Sequence, residues 1–206
     1  MAFRLPRVPS RGGFSPRKLP ELLRQKGVVG LYIFTLLIST SYYVGYSYIE
    51  PFMKQVAGMR NSLVTTTLMI YGGAGFLGSI AFSRYYNRNR KRFISVIVAI
   101  MSVCLLLLTP ISGSWLTLIA VCALWGLAAT AYNVAMQSNI ILITTPESTS
   151  VAMSIFSGIF NLGIGSGAFF GGIICSQASI ANIGYAGALL GLTGLAYWVC
   201  RLGSRV

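Results

Sequence analysis

The sequence has no histidine, and its 206 positions include only three acidic residues, Glu21, Glu50 and Glu147. Metal centres made of His and carboxylates, and hydrolytic sites with paired acids, have almost nothing to draw on. The chain reads as a non-enzyme that needs no cofactor and no metal. Charged residues are also scarce at 9%, against 55% hydrophobic and a mean hydropathy of +0.72. Few soluble domains of this length keep such a balance. The four cysteines, Cys104, Cys122, Cys175 and Cys200, fall inside apolar stretches without a Cys-x-x-Cys spacing, so they read as small packing residues.

What is there is apolar length. Crossing ~30 Å of hydrocarbon takes roughly 20 residues of helix. Six blocks qualify, at about 28–52, 63–83, 93–112, 115–136, 150–175 and 182–200. A barrel would need strict alternation, whereas the stretch Ile97 to Leu108 is apolar at almost every position, so the expected class is an all-α, integral membrane six-helix bundle. Residues 1–27, with Pro6, Pro9, Pro16 and Pro20 among seven basic residues, read as a basic loop or tail rather than a cleavable signal peptide. Residues 201–206 read as a second tail.

The net charge of +13 would suit nucleic acid if the cations shared one folded surface, but they sit between apolar blocks. Fourteen of the 16 Lys and Arg residues fall before the first block, after the second and after the sixth; Lys54 and Arg60 alone are on the other side. The basic side is expected to be cytoplasmic, with both termini there, in the inner membrane. The expected surroundings are lipid, not nucleic acid.

Gly73, Gly75 and Gly78 satisfy a G-x-G-x-x-G pattern, but no strand precedes it and no acidic residue follows at ribose distance, so a dinucleotide site is excluded. Small residues so spaced let another helix approach closely. Gly158, Gly163, Gly165, Gly167, Gly171 and Gly172 repeat the theme, read either as close packing or as a discontinuous helix near a solute path. The stretch from Gly78 to Phe93 carries five cations in nine residues. It reads as a topology anchor and, with Gly78, Arg84, Arg88 and Arg90, as a gate loop.

Glu50 is the one acidic residue inside a block and Pro51 follows it. It is read either as a group that loads and unloads protons or as an interfacial carboxylate. Ser39, Thr40, Ser41, Tyr42, Tyr43, Asn133, Gln137 and Asn161 supply membrane-depth polarity. They serve as glue between helices or line a path for a neutral polar solute, with Tyr42, Tyr46, Asn133, Gln137 and Asn161 as the path candidates.

Tyr46 to Phe52 (YSYIEPF), Tyr71 to Ser79 (YGGAGFLGS) and Val151 to Ala168 resemble bacterial sugar efflux transporters of the drug and sugar antiporter branch of the major facilitator superfamily. The resemblance runs from about Leu5 to Trp198 and implies half of a twelve-helix fold, its second half, exchanging a sugar or related small polar compound for protons by alternating access. Members often carry His at the place of Tyr42 and an acid at that of Asn87, departures that leave Glu50 as the acidic candidate. Two alternatives stand beside sugar efflux: drug efflux, and an inactive remnant or interaction half that requires a complementary half. A homodimer is a further arrangement for the same parallel-repeat geometry.

Overall fold

The computed structural model describes residues 24–202. Most of the basic leader, including Arg4, Arg7, Arg11, Arg17 and Lys18, lies outside the described residues, as does Arg205. Among the described residues all regular structure is helical: α1 (Lys26–Tyr46), α2 (Ile49–Gln55), α3 (Asn61–Tyr85), α4 (Arg90–Leu107), α5 (Trp115–Ile143), α6 (Thr149–Gln177) and α7 (Ile183–Tyr197). A 3-10 turn, Ile180–Asn182, precedes α7 and a π-helical turn, Trp198–Leu202, follows it.

Among the described residues five segments are long and apolar enough to cross a membrane: Lys26–Gln55, Asn61–Tyr85, Trp115–Ile143, Thr149–Gln177 and Ile180–Leu202. The sixth, α4, falls short because its 18 residues begin with Arg90, Lys91 and Arg92, leaving a shorter apolar stretch than the others have.

The boundaries differ from the sequence reading where polar residues misdirect it. The first block breaks at Ser47 and Tyr48, ahead of Pro51. The proline ring would meet the carbonyl four residues back, that of Ser47, which favours a break in the helix there, whereas Pro51 is tolerated in the first turn of α2. Gly58, at φ 62°, then makes the turn toward α3. Helix α4 starts three residues before Phe93 because the Asn89 side chain caps it, accepting from the Arg92 N–H at 2.9 Å. Helix α5 continues past Gln137 to Ile143, because Asn139 is buried rather than ending the helix in water.

Packing follows an order in space that is not the order in the chain. Helix α3 lies on α5, α5 on α4, α4 on α7, α7 on α1 and α1 on α6. This horseshoe leaves α3 and α6 at its tips and brings α1 and α5 into sparser contact at its centre. The tips are the least covered spans, with 22% and 17% of their most apolar stretches buried.

Glycine sets the two closest crossings. On α3, a Cβ at Gly78 would strike the Leu127 carbonyl and one at Gly75 the Thr130 side chain, while Gly126 on α5 faces the Tyr71 carbonyl. On α6, Gly163, Gly167 and Gly171 recur every four residues and lie against Ser39, Tyr43 and Tyr48. Gly73, Gly158 and Gly165 face open space instead, so only part of each glycine run serves packing here.

Polar groups join the helices between these contacts. The Tyr32 hydroxyl donates to the Ala152 carbonyl at 3.0 Å, Ser41 to Gly187 at 2.6 Å and Tyr48 to Ala168 at 2.9 Å. Thr109 donates to the Ala181 carbonyl, closing one end of the bundle. At the other end the Trp198 indole N–H donates to the Lys91 carbonyl at 3.2 Å, and its ring stacks on Phe34 at 5.0 Å. Such bonds contribute about 0.6 kcal/mol each in a bilayer, so shape carries more of the stability than they do.

Candidate functional site

The local sequence Ser-Thr-Ser-Tyr-Tyr on α1 puts Ser39 and Tyr43 on one helix face, four residues apart. Tyr42 and Tyr46 share the neighbouring face and stack at 5.1 Å. The close glycine crossings then fix what meets them. Helix α3 brings Tyr71, α5 brings Trp125, Thr130 and Asn133, and α6 brings Phe160.

The result is a cavity of about 320 Å³ between α1 and α5, flanked by α3 and α6. Ser39, Tyr42, Tyr43, Tyr71, Thr130, Tyr132 and Asn133 supply its polar lining, and Ile38, Met101, Ala129, Val134 and Phe160 its apolar lining. No charged side chain lines it.

One wall is a ring cluster. Tyr42 lies 5.4 Å from Trp125, Tyr46 5.4 Å from Tyr71, and Tyr71 5.7 Å from Trp125, all measured between centroids. Tyr43 meets Phe160 edge-on at 6.1 Å. The Tyr42 and Tyr71 hydroxyls hydrogen-bond to each other, tying α1 to α3. Behind them the buried Trp125 indole N–H has no hydrogen-bond partner among the described residues. Opposite, Gln137 donates its amide N–H to Asn133 Oδ1, which leaves the Asn133 amide nitrogen as a donor for a bound molecule. Flat ring faces with a few hydroxyls and amides at the edges are what a small neutral polar molecule requires of a pocket.

Of the path candidates, Tyr42 and Asn133 line the cavity. Tyr46 supports Tyr42 by stacking, and Gln137 positions Asn133. Asn161 is elsewhere: it is exposed on α6 and donates to the Ser157 carbonyl at 2.8 Å. Tyr71, Trp125, Thr130 and Phe160 were not singled out by sequence. A usable signal existed for two of them, because Tyr71 and Trp125 stand about ten residues inside their helices, whereas Tyr and Trp ordinarily gather at membrane interfaces.

Glu50 does not reach the cavity. It is exposed on α2 and pairs with Lys54 at 2.7 Å, one turn away. It borders a separate depression with Asn61, Thr65 and Met69. The gate candidates are also spread out. Gly78 is buried within the α3–α5 crossing, and Arg84 sits exposed in the last turn of α3. Arg88 lies over the Tyr85 ring at 5.7 Å and Arg90 over Tyr86 at 5.8 Å. Burial pushes the Tyr86 phenol up from its ordinary range, and the Arg90 guanidinium opposes that.

A six-helix apolar bundle with an uncharged cavity between its first and fourth spans suits the movement of a solute better than its chemical conversion. The family described as Major Facilitator Superfamily, which consists of transporters, matches residues 3–139 and 31–205 of this chain. The chain therefore belongs to the Major Facilitator Superfamily, as a multi-pass membrane protein of solute transport.

Proposed function

We propose that the chain forms one wall of an efflux pathway for a sugar or a related small, uncharged polar compound. The observation that carries this reading is the composition of the cavity between α1 and α5. Four tyrosines, a threonine, a serine and an asparagine line it without a single charge. Ring faces stack on the apolar faces of a neutral polar molecule while hydroxyls and amides match its donors and acceptors.

The cavity lies in the mouth of a horseshoe whose tips, α3 and α6, are poorly covered. A second six-helix unit set against those tips would close the path; a complementary half and a second copy of this chain both meet that requirement. The drive we propose is proton exchange, supported by the sequence resemblance. Within the spanning segments described, Glu50 is the carboxylate available for it, exposed to water and paired with Lys54. Its position outside the cavity makes it a group for proton entry rather than for solute binding. The Lys and Arg content of the basic end supports a cytoplasmic position for it.

The experiment is efflux from inverted vesicles or proteoliposomes containing the complete assembly, loaded with a panel of neutral sugars, charged sugars and hydrophobic drugs. Neutral sugars should move and Asn133→Leu should stop them without loss of inserted protein. Transport confined to charged solutes would overturn the reading. The apolar side chains Ile38, Met101, Val134 and Phe160 favour drug efflux as the second reading, and drug transport without sugar transport would select it.

A further inference from the structure

A second groove lies at the basic end, between α3, α4 and the start of the connection that joins them, and shares no lining residue with the solute cavity. Its volume is about 440 Å³. Two chemistries meet in it. Arg88 and Arg92 stand exposed at the mouth, beside Tyr85. Below them Val96 and Ile100 of α4 and Leu127 of α5 form an apolar trough. Eight residues separate Arg92 from Ile100, so the trough follows α4 for about 12 Å from the charged rim.

Among the described residues the arginines have no acidic counterpart. No ion pair between described residues involves Arg88 or Arg92, and the Lys54–Glu50 pair belongs to the opposite end of the bundle. Arg88 is instead laid over the Tyr85 ring, and the Arg92 backbone N–H is engaged by the Asn89 cap. Both guanidinium groups therefore keep free donors, and a guanidinium fork matches a phosphate oxygen pair well.

The two halves of the groove restrict its occupant. A soluble anion would leave the apolar trough wet, and a neutral lipid would leave two cations without a counter-charge. An anionic glycerophospholipid satisfies both, with its headgroup at the membrane surface and its chain at hydrocarbon depth. Val96, exposed at 48% in the trough, is the side chain such a chain would cover.

We propose that this groove is a binding site for an anionic phospholipid, its phosphate held by Arg88 and Arg92 and one acyl chain lying along α4. This inference is independent of which solute is transported.

The test is native mass spectrometry of the full chain in a neutral detergent, titrated with phosphatidylglycerol or with phosphatidylcholine of the same acyl chains. Phosphatidylglycerol should be retained at concentrations at least ten-fold lower than phosphatidylcholine. The double variant Arg88→Gln, Arg92→Gln should erase that difference, while Lys54→Gln with Arg60→Gln, which removes equal charge from the opposite end, should preserve it. Val96→Trp, filling the trough with both arginines intact, should also weaken retention several-fold. Equal retention of the two lipids, or equal loss in the two double variants, would overturn the proposal. Displacement of the lipid by millimolar inorganic phosphate, with Val96→Trp silent, would likewise overturn it and assign a soluble-anion site instead.

Discussion

The hydroxyls of Tyr42 on α1 and Tyr71 on α3 hydrogen-bond to each other at the wall of the cavity between α1 and α5, and both rings lie against Trp125. The bond joins α1 to α3 beside the Tyr46–Tyr71 ring contact, where the two helices otherwise touch sparsely. Two groups in one such contact act as a unit, so their effects should not add. Tyr42→Phe and Tyr71→Phe are each expected to weaken solute binding about five-fold, equivalent to roughly 1 kcal/mol for a neutral hydrogen bond. The double variant should be no weaker than either single one. Binding isotherms for the three variants check this, and strictly additive losses would show that the two hydroxyls act separately.

Gly78 and Gly73 belong to the same short motif but serve different surfaces. A Cβ at Gly78 would collide with the Leu127 carbonyl of α5, whereas one at Gly73 would enter open space. Backbone cannot move aside as a side chain can, so Gly78→Val should cost about 1–3 kcal/mol or prevent assembly of the bundle. Gly73→Ala should be tolerated by the isolated chain. Thermal unfolding of purified variants in detergent distinguishes them. If a second six-helix unit seats on the open face of α3, Gly73→Leu should impair transport while leaving that unfolding temperature unchanged.

The reading from sequence succeeded where the signal was long and failed where it was local. Apolar runs interrupted by clustered cations identify a six-helix bundle because the bilayer leaves a helix no alternative. The pairing of α1 with α6 and of α3 with α5 was only half legible. Glycine spacing announced close approach, but the neighbour supplied by the fold decides which glycines are used, and Gly165 and Gly167 differ in this by two residues. Tyr42 and Asn133 were legible as polar groups at depth. Tyr71, Trp125 and Phe160 were not, because an aromatic residue in an apolar block looks like any other packing residue until a cavity forms beside it.

Glu50 offers a test of drive that is separate from solute recognition. It is water-accessible and paired with Lys54 rather than bound to the cavity wall. Glu50→Gln in the complete assembly is expected to abolish the dependence of efflux on the proton gradient while preserving solute binding and membrane insertion. Lys54→Gln should leave the carboxylate in place and retain that dependence. Gradient-driven and counterflow assays, run side by side, separate the two. Unchanged gradient dependence in Glu50→Gln would remove this residue from the proton route.

The central claim is that solute passes through the cavity between α1 and α5, and Thr130 lies on its wall. Thr130→Cys, in a chain whose four native cysteines are replaced by alanine, can be modified with a bulky maleimide while solute exchange is followed in the complete assembly. We predict that exchange stops as modification completes, that a transported neutral solute slows the modification, and that Val96→Cys on the outer groove shows neither effect on exchange. Full modification of Thr130→Cys with exchange continuing at its original rate would contradict the account.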